Sequence, residues 1–244
     1  MSKFKIVIAN SSPNMEKGNT HVIAKSFMDG ARLAGAEVEN IFLAKYKIKS
    51  CLACMSCWFE TPGKCILQDD AHMILDKMSQ ANLLIFATPL YVDNVSGIMK
   101  NLMDRMIAKG RPEVELDENN ETRHIVNDSQ LKKIGIISNC GFPEQDQFQV
   151  LRVLFRRIAR NMNCELAVEI YRGEGPLLSV ENSQLKPIID NYKALVEKAG
   201  EEIVVNGKIS KDIMGQLEKP LIPYDIYNEA MNEQIDQRLK HTRK

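Results

Sequence analysis

The sequence carries no excess charge of either sign: 32 Lys and Arg balance 32 Asp and Glu. No global field draws the chain to nucleic acid or to an anionic membrane surface. No apolar run approaches the about 18 residues of a membrane span. The opening "MSKFKIVIAN" has an apolar run too short for a signal-peptide core and continues into strand-like sequence. A cytoplasmic protein with reduced thiols, and with no nucleic-acid or membrane partner, is therefore expected. Internal repeats and low-complexity tracts are missing as well. So are the usual phosphate signatures after the first strand-like run, both G-x-G-x-x-G and G-x4-G-K-[ST].

What is present suffices for a globular core. Apolar residues make up 44% and charged residues 26%, which allows a sizeable core without disulfide staples. The 12 methionines fall mostly at helical spacing beside other apolar residues and read as core filler. Four of the 6 cysteines lie in "CLACMSCWFETPGKC", spaced C-x2-C-x2-C-x7-C from Cys51 through Cys54 and Cys57 to Cys65. In a reducing compartment such clustering points to metal or redox chemistry before structural disulfides.

Strand-like and helix-like segments alternate. Apolar or alternating runs at residues 4–10, 38–46, 82–90, 132–139 and 164–172 read as strands. Helical periodicity fills the intervals, with a further helix over 185–205. Strands apolar nearly throughout must be covered on both faces. Strict β-then-α alternation gives a parallel sheet with right-handed crossovers. An α/β doubly wound sheet of five strands is expected over residues 1–207. Residues 47–67 form a cysteine-rich loop within it, and 111–130 a polar, turn-rich, exposed insertion. Residues 208–244 read as a C-terminal helical extension. Its Tyr224, Tyr227 and Met231 fall at helix spacing, and could pack on the same subunit or on a partner. Asp69 and Asp70, just before a helix, read as caps.

Ligands of such sheets bind beyond the carboxyl ends of the strands, at the switch in strand order. The first loop there is "NSSPNMEKGNT", residues 10–20. It is dense in small hydroxyl and amide side chains, with Gly18 just ahead of a helix. Such a loop can wrap a phosphate with hydroxyls and backbone N–H groups at a helix N-terminus. The plainer reading is a loop in which Asn19 or Thr20 caps the helix.

With its strand, this loop resembles the flavodoxin-like NADPH-dependent FMN reductase family, whose "GSPRxxGNT"-type loop holds the flavin phosphate. The resemblance implies phosphate contacts at Ser11, Ser12, Pro13, Asn14, Gly18, Asn19 and Thr20. Asn10 stands where that family usually has glycine. A second stretch, "TPLYVDNVSGIMKNLMDR" at 88–105, is similar to the family's "SPxYxxxxSxxxKxxxDR" segment. It implies isoalloxazine contacts at Pro89, Leu90, Tyr91, Asn94 and Val95. A third, "SNCGFPEQDQF" from residue 138, implies the other flavin edge at Ser138, Asn139, Cys140 and Gly141. Cys140 by itself reads as packing, and Cys164 as a buried structural cysteine.

The four-cysteine loop is similar to the compact motif of the iron–sulfur flavoprotein branch, which binds a [4Fe–4S] cluster. Its last gap is at the upper limit of that motif. Three thiols in one arc with a fourth returning after "TPG" suit such a cluster. Zinc, a redox disulfide, or idle thiols packed at a subunit contact stay open. The flavodoxin-like strand order implied is 2-1-3-4-5.

The implied activity is hydride transfer from NAD(P)H to FMN, then electron delivery to an acceptor, with no protein acid or base at the hydride step. Two other classes stay open. One is an electron-transfer iron–sulfur flavoprotein reduced by a ferredoxin-like partner; the other is a non-catalytic flavodoxin-like binding module. The resemblance also implies a homodimer or homotetramer with the flavin at an interface.

Overall fold

The computed structural model describes residues 3–125 and 131–242, with side chains to 240. Residues 126–130 of the expected insertion, and the last residues of the expected extension, lie outside the described residues. The strands are β1 (Lys5–Asn10), β2 (Glu37–Phe42), β3 (Leu83–Pro89), β4 (Val114–Leu116), β5 (Thr122–His124), β6 (Lys133–Asn139) and β7 (Glu165–Arg172). The helices are α1 (Asn19–Leu33), α2 (Ser56–Phe59), α3 (Ala71–Ser79), α4 (Gly97–Arg105), α5 (Gln149–Asn161), α6 (Lys186–Val205), α7 (Lys211–Leu217) and α8 (Tyr224–Thr242).

The main sheet is parallel, in the order β2-β1-β3-β6-β7. Leaving out β4 and β5, this is the expected 2-1-3-4-5. Those two short strands pair antiparallel with each other, so the part of the polar insertion that is described is a hairpin, not a loop.

Side chains alternate across each strand, and the sheet therefore divides two cores. Val7, Ala9, Leu84, Phe86, Ile134 and Ile136 face α3, α4 and α5, with Phe148 and Phe155. Ile6, Ile8, Leu83, Ile85 and Ile137 face α1 and α6, with Phe27, Tyr192 and Val196. Ile213 and Leu217 of α7 join this second core. The α1–α6 contact is close enough to need glycine. A Cβ on Gly30 would lie 1.8 Å from the Glu197 carbonyl oxygen, and one on Gly200 2.1 Å from that of Phe27. No helix of the described residues is long and apolar enough to cross a membrane.

Candidate functional site

The carboxyl ends of β1, β3 and β6 lie side by side, because Asn10 pairs with Ala87 and Thr88 with Ser138. Three loops consequently start from one edge. The loop after β1 runs to the N-terminus of α1, whose N-cap position is Gly18 with no side-chain cap hydrogen bond. Neither capping candidate caps. The Asn19 side-chain oxygen accepts from the Ser179 hydroxyl at 2.9 Å. The Thr20 hydroxyl accepts from the Asn139 amide at 2.7 Å. Both side chains keep a donor of their own, the Asn19 amide and the Thr20 hydroxyl proton. The His21 N–H donates to the Gly18 carbonyl at 2.9 Å, which leaves the N–H groups of Asn19 and Thr20 without a partner among the described residues, and the helix dipole favours an anion there.

Gly18 is required by what it packs on. A Cβ there would lie 2.1 Å from the Ser12 hydroxyl oxygen. The Ser12 N–H donates to the Asn10 side-chain oxygen at 3.1 Å. Pro13 and Asn14 are exposed at the outer turn. Ser11 is turned inward: its hydroxyl lies 2.8 Å from that of Ser96 and 3.3 Å from the Ala87 carbonyl oxygen. Ser96 caps α4 through the Met99 N–H, and its own N–H donates to the Thr88 hydroxyl at 3.0 Å. One buried hydroxyl pair thus joins the first loop to the second. The place of Ser96 just before Gly97 is an N-cap signal in the sequence, but its pairing with Ser11 is visible only in the fold.

In the second loop Pro89 and Val95 are buried, Leu90 is half-buried, and Tyr91 and Asn94 are exposed. Tyr91 and Asn94 exchange backbone hydrogen bonds of 2.9 and 3.1 Å. Between them Val92 and Asp93 are both left-handed, with φ of 47° and 58°. A two-residue turn of this kind favours Asn and Gly. A β-branched residue there is strained, and strain of this sort gathers at functional loops. Val92 is also 96% exposed. In the third loop Ser138 and Asn139 are buried and Gly141 is exposed. Cys140 is packed in the first core, and burial pushes its thiol up to about 11. Two buried polar atoms at this edge have no partner among the described residues, Asn10 Nδ2 and Ser138 Oγ.

The four clustered cysteines line one cavity of about 90 Å³, together with Leu67, Arg105 and Ile107. Burial pushes the Cys57 thiol up, and the charges of Cys65, Cys51 and Cys54 add to it. Hydrogen bonds from Ser56 hold the Cys54 thiol below its ordinary range. The Ala53 N–H lies 3.4 Å from the Cys51 sulfur. Ala53 and Met55, either side of Cys54, are left-handed at φ 53° and 59°. Among the described residues no three His, Cys, Asp or Glu converge on a single ion. All six cysteines are free thiols.

Arg105 and Asp69 brace this loop. Arg105 donates to both Asp69 oxygens, and to the Lys49 carbonyl at 3.0 Å. Asp69 also accepts from the N–H groups of Lys49 at 2.9 Å and Ala71 at 3.2 Å. Capping is therefore only part of its role. Burial would raise its carboxyl, but the Arg105 guanidinium and the Lys49 N–H outweigh burial and hold it below the usual range. A further tie runs from Ser50 to Asn101 of α4 at 3.2 Å, and just ahead of the loop Lys45 pairs with Glu16 of the first loop at 2.9 Å. The cysteine loop is thereby fastened to elements flanking the first and second loops.

Residues 4–122 match the model of the family "NADPH-dependent FMN reductase". An iron–sulfur flavoprotein of Archaeoglobus fulgidus is 39% identical over 101 residues, 41% of this chain and 48% of that protein. One of Methanocaldococcus jannaschii is 37% identical over 101 residues, 41% and 51% of the two chains. The aligned stretch thus spans about half the length of these curated relatives. Among solved structures, an FMN-dependent NADH-azoreductase of Bacillus anthracis in complex with FMN superposes with a TM-score of 0.59 at 16% identity, covering 82% of this chain and 99% of that one. An NAD(P)H:quinone oxidoreductase of Methanothermobacter marburgensis gives 0.61 at 13%, covering 83% and 98%. Those two likenesses establish the flavodoxin-like fold. Over residues 4–122 the chain is thus similar to the NADPH-dependent FMN reductase family, and iron–sulfur flavoproteins are among the curated proteins that it resembles.

Proposed function

We propose that the protein is an FMN-dependent oxidoreductase that takes hydride from NAD(P)H and delivers electrons to an acceptor through a [4Fe–4S] cluster. The observation that carries the flavin reading is the uncapped N-terminus of α1 beneath the first loop. Free donors on Asn19 and Thr20 and the unpartnered Asn10 Nδ2 and Ser138 Oγ support it. Ser12, Pro13, Asn14, Gly18, Asn19 and Thr20 would hold the phosphate, while Ser11 ties the loop to Ser96. Pro89, Leu90, Tyr91, Asn94 and Val95 would flank the ring on one side, and Ser138, Asn139, Cys140 and Gly141 on the other. FMN, when bound, supplies the hydride chemistry. The chain supplies position and exclusion of water, and no side chain here is assigned to move a proton.

Cys51, Cys54, Cys57 and Cys65 would hold the cluster. Four thiols around one cavity suit a cube, whose ligands spread around its corners; zinc needs them gathered on one centre. Arg105 at the cavity wall supplies a buried cation beside a thiolate-rich group. The apolar side chains the loop exposes, Leu52, Met55, Phe59 and Ile66, would be covered in a homodimer or homotetramer.

The test is stopped-flow absorbance of the anaerobic holoprotein. Bleaching of the flavin band by NADH or NADPH supports the reductase. Bleaching only by a reduced ferredoxin-like protein favours the electron-transfer class instead. A preparation that stays colourless after FMN is added sinks both and leaves a non-catalytic module.

A further inference from the structure

Arg172 and Glu174 are fully buried at the carboxyl end of β7. The Glu174 carboxylate accepts from the N–H groups of Leu221 at 2.7 Å and Ile222 at 3.2 Å. The Arg172 guanidinium donates to the carbonyls of Leu217 at 3.2 Å and Lys219 at 2.8 Å. Buried charges persist only where their hydrogen bonds are made. All four of these bonds go to residues 217–222, the segment joining α7 to α8. The start of α8 is thus held firmly against the body of the protein.

One turn into α8, Tyr227 is 4% exposed and its hydroxyl donates to the Gly141 carbonyl at 2.5 Å. Burial, with the charges of Glu174 and Cys140, pushes its phenol up to about 12, so the hydroxyl remains a donor at ordinary pH. Gly141 ends the third candidate loop. No described peptide bond is cis, so the Phe142 N–H points opposite to the Gly141 carbonyl. That carbonyl faces α8, and the Phe142 N–H is therefore turned to the other side of the loop. Among the described residues nothing accepts from it, whereas the Phe142 carbonyl accepts from the Glu174 N–H at 3.0 Å.

We infer that Tyr227 is a positioning residue for the flavin: by holding the Gly141 carbonyl it sets the Gly141–Phe142 peptide and presents the Phe142 N–H as a fixed donor to the flavin edge. The C-terminal helix thereby acts on the redox site without touching it. The inference rests on the FMN reading above.

Tyr227→Phe removes a single oxygen. FMN release from the holoprotein is followed by recovery of flavin fluorescence, the bound flavin's midpoint potential by spectroelectrochemistry, and folding by Tm. Tyr224→Phe, on the same helix with its ring exposed, is the control. Tyr227→Phe should raise the FMN Kd about fivefold and shift the potential, while Tyr224→Phe changes neither. If Tyr227→Phe lowers Tm but leaves Kd and potential untouched, its role is merely structural and the inference is overturned. Unchanged Kd, potential and Tm overturn it too. If the wild-type chain takes no FMN, the flavin reading itself fails, and the inference with it.

Discussion

Arg105 grips Asp69 at both oxygens, 2.7 and 3.1 Å away, with each side chain only 1% exposed. Asp69 stands just beyond the cysteine loop, and the Lys49 carbonyl that Arg105 also holds stands near its start, two residues before Cys51. One guanidinium on α4 therefore closes the base of the loop that carries Cys51 to Cys65.

Breaking this pair should cost more than its absence from a design would. Arg105→Met leaves the Asp69 carboxylate buried and unpaired, so unfolding free energy should fall by about 3–5 kcal/mol in urea titration. The pH dependence follows from the direction of the shift. Asp69 is held below its ordinary 3.8, so its stabilisation is present above that value and is lost as pH falls through the lower folded value. The Tm gap between wild type and Asp69→Asn should be constant near neutral pH and narrow below about pH 4. A gap that widens on acidification would count against the pairing.

Anaerobically purified protein should contain about four iron and four acid-labile sulfide per chain. Cys51→Ser, Cys54→Ser, Cys57→Ser and Cys65→Ser should each lower that content. Cys140→Ala and Cys164→Ala should leave it unchanged, since both cysteines lie outside the four-cysteine cavity. Flavin absorbance without iron in the wild type would remove the cluster from the reading.

Gly18→Ala should weaken FMN binding while the fold persists. The backbone there, at φ −82°, accepts any residue, so the obstacle is the Ser12 hydroxyl 2.1 Å from the added methyl. A clash of this kind costs about 1–3 kcal/mol. Ser12→Ala combined with Gly18→Ala should recover Tm but not full FMN affinity, as measured by fluorescence titration.

Gly200→Ala tests the fold apart from the site. Its methyl would meet the Phe27 carbonyl at 2.1 Å, which forces α6 away from α1. A loss of about 1–3 kcal/mol in chemical denaturation is expected, with FMN affinity little changed.

Much of this could be read along the chain. Apolar runs such as "LLIFATP" announce a strand covered on both faces, and their alternation with amphipathic helices announces a parallel sheet. The hairpin of β4 and β5 was not legible, because three-residue strands in polar sequence leave no periodic signal. Its turn is tied instead by an ion pair, Arg160 to Asp117 at 2.8 Å. Asp69 read as a cap, because local sequence cannot show an arginine 36 residues away. The roles of Ser96 and Tyr227, the latter legible only as a residue at helix spacing, are hidden for the same reason: their partners, Ser11 and Gly141, are 85 and 86 residues distant.

Strand and helix succession, the three loops at one sheet edge and the spacing of the four cysteines are all written in local periodicity and local residue type. Three features come from the folded chain alone: α1 lacks a side-chain cap among the described residues, Ser11 faces Ser96 rather than the open edge, and Arg105 and Tyr227 brace the cysteine loop and the third loop. Those are long-range pairings of buried polar groups, which exist only once the chain has brought their partners out of water together.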